Sequence, residues 1–145
     1  RYPIVSIEDP LAEDDLDGFA AIARAAGDRV QIVADDLTVT DAARVRQVAA
    51  RKAANSLLVK PNQRGTLTET LAAHQAAHAA GWRNIVSARS GETEDVAIVH
   101  LAVGWQVGQL KVGSFTRSER MAKWNEALRI EEALGGQAHL ARPFG

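Results

Sequence analysis

The sequence predicts an α/β fold made of five consecutive βα units around a parallel sheet. Short apolar runs recur at intervals of about 22 to 29 residues, the spacing that βα units require. Each run is followed by a longer stretch with the 3.6-residue periodicity of an amphipathic helix. Most of the runs are continuously apolar rather than alternating, as suits strands covered on both faces. At 145 residues, 46% hydrophobic and 24% charged, the chain has the composition of a globular domain with one core. No linker or low-complexity tract interrupts the alternation.

The first strand is read at Ile4-Val5-Ser6-Ile7. The helix after it carries Leu16, Phe19, Ala20 and Ala23 on one face and is stopped by Gly27. The second strand is Val30 to Ala34, and its helix, after Thr40, presents Val45, Val48, Ala49 and Ala53. Ser56-Leu57-Leu58-Val59 is the third strand. Thr66 and Glu69 form a T-x-x-E capping box for a helix that turns Leu67 and Leu71 inward and ends at Gly81. The fourth strand, Asn84 to Ser87, leads to a helix after Thr93, with Glu94 and Asp95 in its first turn and Val96, Val99 and Val103 as its stripe. The fifth strand is Gly108 to Val112. A helix from about Ser118 presents Met121, Trp124, Ala127 and Leu128 and ends at Gly135-Gly136.

Composition excludes several function classes. Lys and Arg total 17 against 18 Asp and Glu, a net charge of -1, which gives no electrostatic case for binding nucleic acid or an anionic membrane. With no cysteine, disulfides, thiolate metal sites and a cysteine nucleophile are impossible. No apolar run is long enough for a membrane span, and Arg1-Tyr2-Pro3-Ile4-Val5 does not read as a signal peptide. The expected location is cytoplasmic. His74 and His78 have the i, i+4 spacing of a metal pair but are read as a packed or half-buried helix face. Trp82, Trp105 and Trp124 are read as packing.

Chemistry concentrates where the strands end. Glu8-Asp9, Asp35-Asp36, Lys60, Arg89-Ser90 and Lys111 each lie at or just after a strand. In a β/α barrel those ends converge on one rim, which carries the active site. Glu8 and Asp35 are hard oxygen donors suited to Mg²⁺. Asp9 and Asp36 are read as ordinary strand-to-loop residues. Lys60 or Lys111 is a candidate general base, because neighbouring positive charge depresses a lysine pKa. Arg89 and Ser90 suit a phosphate. The set outlines proton abstraction next to a carboxylate on a phosphorylated acid.

These residues sit in segments that resemble the C-terminal part of the enolase family's barrel domain. They are Ser6-Ile-Glu-Asp-Pro10, Ala34-Asp-Asp-Leu-Thr38, Asn62-Gln63 with Gly65-Thr-Leu-Thr-Glu69, Ser90-Gly-Glu-Thr-Glu-Asp95, Gly108-Gln-Leu-Lys111, Arg117-Ser-Glu-Arg120 and Leu128-Arg-Ile-Glu-Glu132. The resemblance implies five βα units of a TIM-type barrel across residues 1–145, incomplete as given. It implies the glycolytic reaction, Mg²⁺-dependent dehydration of 2-phosphoglycerate to phosphoenolpyruvate. Glu8 and Asp35 match two of three metal carboxylates, and Lys60 matches the base. Lys111 matches the lysine that neutralises the substrate carboxylate, and Arg89 and Ser90 match the phosphate-binding pair.

The sequence also departs from the family. Ala88 stands where the pattern begins with histidine, Pro61 where valine is usual, Arg64 where a hydrophobic residue is usual and His100 where an acidic one is. Replacing imidazole by methyl removes a hydrogen-bonding group and opens space. A paralogue with altered chemistry, such as a carboxyphosphonoenolpyruvate synthase of phosphonate antibiotic biosynthesis, is one alternative. A non-catalytic interaction module is another. The family's N-terminal domain, first barrel strands, third metal carboxylate and glutamate acid precede the matching segments. Five parallel strands do not close a barrel. The expected whole is therefore a longer barrel, completed in the same or another chain, and a homo-oligomer.

Overall fold

A computed structural model describes residues 2–144. The chain packs as two compact units, Arg1–Asn84 and Ile85–Gly145. Its five strands follow chain order, in the α/β alternation that the sequence predicts.

The first unit contains β1 (Ser6–Glu8), β2 (Gln31–Ala34) and β3 (Ser56–Val59), with α1 (Leu16–Ala26), α2 (Ala42–Ala50), α3 (Pro61–Arg64) and α4 (Leu67–Ala79). β1 and β2 are parallel, with Ser6 opposite Gln31 and Glu8 opposite Val33. β2 and β3 are parallel, with Val33 opposite Ser56 and Ala34 opposite Leu57. Every residue of β2 and β3 is buried. Ile32, Val33, Leu57, Leu58 and Val59 pack in a core with Phe19 of α1, Val45 and Val48 of α2, and Ala73 and Ala77 of α4. Burying each larger apolar side chain contributes about 1.5–3 kcal/mol. Asn55 staples this core: its Oδ1 accepts from the Ile32 amide (2.7 Å) and its Nδ2 donates to the carbonyls of Gly27 (2.8 Å) and Val30 (3.1 Å).

The second unit contains most of β4 (Arg83–Ser87), then α5 (Ala97–Gly104), β5 (Leu110–Lys111) and α6 (Ser118–Leu134), followed by a 3-10 turn. β4 and β5 are parallel, with Val86 opposite Leu110 and Ser87 opposite Lys111.

Several boundaries and faces correct the sequence reading. β1 starts at Ser6 rather than Ile4, because its ladder begins opposite Gln31, where β2 begins. β5 is confined to two residues because Gly108 (φ 79°) and Gly113 (φ 111°) leave the extended region on either side. α3, directly after β3, is not expected from periodicity; Pro61 at its first position fixes a helical φ. α4 does not bury Leu67, which is 56% exposed. Its buried row is Thr70, Ala73 and Ala77, small side chains that let helix and sheet approach closely. In α5 the buried positions are Val99 and Ala102, with Val103 exposed. In α6 Leu128 is exposed and Lys123 is the buried residue.

The caps follow simple electrostatics. Asp41 caps α2, accepting from the amides of Ala43 (2.8 Å) and Arg44 (2.9 Å). Thr66 caps α4 by accepting from the Glu69 amide (3.2 Å), and its hydroxyl donates to Glu69 Oε2 (2.8 Å). Arg64 joins the two helix starts, at 2.7 Å from Asp41 and 3.0 Å from Glu69. The Arg44 amide holds the Asp41 carboxyl below its usual range, helped by the Ala43 amide and the Arg64 charge and partly opposed by burial. Glu69 is likewise lowered, chiefly by the Thr66 hydroxyl and Arg64.

Asp41→Ala is therefore expected to lower stability at neutral pH by about 1 kcal/mol. Because the folded-state pKa is depressed, this contribution is present above the ordinary value of 3.8 and is lost as pH falls through the lower folded value. Urea unfolding of both proteins at about pH 7 and about pH 3 checks it: the gap between them narrows in acid.

Candidate active site

The chemistry-bearing residues of the first unit gather at the ends of β2 and β3. Asp35 directly follows β2 and Lys60 directly follows β3, and parallel pairing of these strands brings the two together. The Lys60 ammonium donates to Asp35 Oδ2 in an ion pair whose side chains are only 11% and 7% exposed. Such a pair is retained in a dry setting only if the remaining lone pairs and protons are also satisfied. Gln63, on α3, does part of this. Its Nε2 donates to Asp35 Oδ1 (3.2 Å) and its Oε1 accepts from the Thr40 hydroxyl (2.6 Å). The same Thr40 oxygen accepts from the Lys60 amide (3.0 Å). Thr40 is fully buried and holds a left-handed backbone (φ 54°).

Asp9 completes the arrangement from β1. Its two carboxylate oxygens accept from the amides of Asp35 and Asp36, both at 2.9 Å. This clamps the loop that presents the Asp35 side chain. Carboxylate oxygens of Asp9, Asp35 and Asp36 lie within 4.8 Å of one another. Asp9 is thus more than an ordinary strand-to-loop residue, and it is the carboxylate that the chain just after β1 contributes to this cluster. Glu8 is exposed and pairs in register with Val33. Strand alternation turns positions 33 and 35 to the same side, which is the side Glu8 shares.

The second unit carries the other three candidates. Arg89 and Ser90 are exposed on the loop that follows β4. Lys111 is exposed at the end of β5, and its carbonyl accepts from the Ala88 amide (2.9 Å). Ala88, at the position where the family pattern has histidine, is 8% exposed. The Arg89 amide donates to Glu92 Oε1 (2.7 Å). Arg120 donates to the Val112 carbonyl, and its guanidinium lies so close to Gly113 that a Cβ there would collide with it.

Residues 1–142 match the family model described as "Enolase, C-terminal TIM barrel domain". The chain belongs to the enolase family. It is 58% identical over 140 residues to the enolase of Mycobacteroides abscessus, covering 97% of this chain and 33% of that protein. The enolase of Anaplasma marginale is 55% identical over 140 residues, 97% of this chain and 32% of the relative. That of Malacoplasma penetrans is 55% identical over 139 residues, 96% and 31% respectively. The chain therefore spans about a third of the length of the curated relatives it matches.

Against this family frame, the remaining sequence features are structural. His74 is half-buried and His78 exposed, with ring centroids 6.3 Å apart. Burial, with the neighbouring His78, lowers the His74 pKa. Trp124 stacks on Phe115 (5.0 Å) and donates to the Ser114 carbonyl (2.9 Å). Among the described residues, no helix is long and apolar enough to cross a membrane. Sequence reasoning missed Thr40, Gln63 and Asp9 as site residues. Gln63 lies in a recognised segment and Asp9 beside a metal candidate, but their roles depend on which strands pair.

Thr40→Val is expected to destabilise the protein by about 1–3 kcal/mol, since it strands the Lys60 amide and the Gln63 carbonyl. Thr40→Ser, which keeps the hydroxyl, is expected to cost less. Guanidinium unfolding of both variants checks the order.

Proposed function

We propose that the chain supplies part of the active site of an enolase, a lyase that dehydrates 2-phosphoglycerate to phosphoenolpyruvate. The observation that carries this reading is the buried Asp35–Lys60 pair with its Gln63 and Thr40 supports, in a chain of this family. A lysine whose backbone amide is anchored is held in place to meet one carbon-bound proton, and it takes that proton as the free amine, released from its bond to Asp35.

Lys60 Nζ takes the proton from the carbon next to the substrate carboxylate. Lys111 offers positive charge to that carboxylate as negative charge accumulates on it. Arg89 binds the phosphoryl group through its fork of N–H donors and Ser90 through its hydroxyl. The bond to the hydroxyl on the next carbon then breaks, and the departing hydroxide takes a proton from an acid in the remaining part of the barrel, giving the double bond and water.

A metal fits the chemistry of the donors. Asp35 and Glu8 offer hard carboxylate oxygens, and Asp35 lies within an acidic cluster, the donor type that Mg²⁺ selects. Glu8 and Asp35, which match the family's metal carboxylates, are the residues that would hold it, while the oxygens of Asp9 are engaged by backbone amides. When bound, a divalent cation supplies positive charge that stabilises the developing dianion and competes with the Lys60 ammonium for Asp35. The remaining barrel strands, from the same or another chain, and assembly into a homo-oligomer belong to the same proposal, as does a cytoplasmic, glycolytic setting.

The full-length protein with Mg²⁺ is expected to form phosphoenolpyruvate from 2-phosphoglycerate, followed by the ultraviolet absorbance of the product. Lys60→Ala is expected to reduce kcat by about 10²–10⁴-fold. Turnover by Lys60→Ala at the wild-type rate would exclude Lys60 as the base. Absence of turnover by the wild-type protein, with activity appearing in Ala88→His, would point instead to a different substrate.

A further inference from the structure

Lys123 lies on α6, in a helix otherwise largely half-buried or exposed, and its side chain is 0% exposed. The proposed reaction makes no use of it. A fully buried ammonium is costly unless it is paired and hydrogen-bonded. Lys123 meets both conditions in the loop after β4. Its Nζ lies 3.0 Å from Glu92 Oε2 and donates to the Thr93 carbonyl (2.6 Å). Glu92 is itself only 16% exposed, and its other oxygen, Oε1, accepts from the Arg89 amide (2.7 Å). The two ends of one carboxylate thus join a buried cation on a long helix to the backbone of the residue proposed to bind phosphate.

We propose that Lys123 and Glu92 are positioning residues for phosphoryl recognition, fixing the peptide from which the Arg89 and Ser90 side chains project. The inference rests on the reading of Arg89 and Ser90 as the phosphate pair. Three features give it content. The loop Arg89–Thr93 contains Gly91 and carries no regular secondary structure, so it has little stiffness of its own. Glu92 and Lys123 hold its backbone at both ends, at the Arg89 amide and the Thr93 carbonyl. The ammonium is inaccessible to solvent, so it acts on a ligand through the loop and not by touching it. The ligand class is a phosphate monoester, whose tetrahedral oxygens require Arg89 and Ser90 to be held at a fixed separation.

Glu92→Gln supplies one carbonyl oxygen where the wild type has two acceptors, and cannot serve the Arg89 amide and Lys123 together. In the full-length protein, Glu92→Gln is expected to weaken binding of inorganic phosphate, measured by titration calorimetry, by about tenfold, the scale of one charge-assisted hydrogen bond. KM for 2-phosphoglycerate is expected to rise more than kcat falls. Lys123→Met leaves Glu92 without its cation and is expected to act in the same direction. The double variant Lys123→Met/Glu92→Gln removes both charges, so it tests the anchor even where Lys123→Met alone does not fold. Val99→Ala, which opens a cavity in α5 and removes none of these bonds, lowers the thermal midpoint and is expected to leave phosphate affinity unchanged. Arg89→Ala separates the two levels of inference. If Arg89→Ala abolishes phosphate binding while Glu92→Gln and the double variant keep wild-type affinity, the positioning role is overturned and the phosphate pair stands. If Arg89→Ala binds phosphate like the wild type, the phosphate pair is wrong and the positioning proposal falls with it.

Discussion

The first unit depends on one interaction, the buried ion pair between Asp35 and Lys60. Each residue stands at the end of a fully buried strand, and neither charge can be left there alone without a large desolvation cost. The surroundings are built to keep both charges satisfied. Gln63 takes the second Asp35 oxygen, Thr40 takes the Lys60 amide, and Asp9 takes the amides of Asp35 and Asp36. The backbone bears strain for this. Asp9, Val39 and Thr40 all have positive φ (38°, 44° and 54°), costly for residues with a Cβ and tolerated where surrounding bonds over-determine the geometry. Val39 and Thr40 cannot relax without moving Asp35, whose carbonyl accepts from the amides of Thr38 and Val39.

The second unit uses the same device in other hands. There the buried cation is Lys123, its carboxylate is Glu92, and the backbone so held is that of Arg89. In both units an ammonium is largely or wholly withdrawn from water, a carboxylate on a strand-end loop pairs with it, and the loop is thereby fixed in place. Chemistry needs polar groups in flexible connections. Burying one charge beneath such a connection gives it the rigidity that its own composition lacks.

Much of the fold was legible in the sequence because strand and helix periodicities are local. Ser56–Val59 is a strand with the expected bounds, and the cap at Thr66 follows from its capping box with Glu69. The errors share a cause. Leu67, Val103 and Leu128 are apolar and fit the helical period, so a hydrophobic stripe is drawn through them, yet all three are exposed. The buried rows run instead through Thr70, Ala73 and Ala77, through Val99 and Ala102, and past Lys123. Close helix-to-sheet packing selects small side chains, and an ion pair can bury a lysine. Neither preference appears on a hydrophobicity scale.

The sequence by itself determined the alternation of the five strands with their long helices, the family, and the chemical types at the strand ends, since each is a property of residue identity and near-neighbour spacing. The tertiary structure decided how those types are used. Asp9 became the clamp on Asp35, Gln63 and Thr40 became the brace between two strands, and Glu92 became the link from Lys123 to Arg89. These bonds join residues as far apart in the chain as Lys123 and Thr93 or Gln63 and Asp35. They form only once strand register and left-handed turns have set the backbone to within hydrogen-bond distance, a condition that packing imposes and local sequence does not encode.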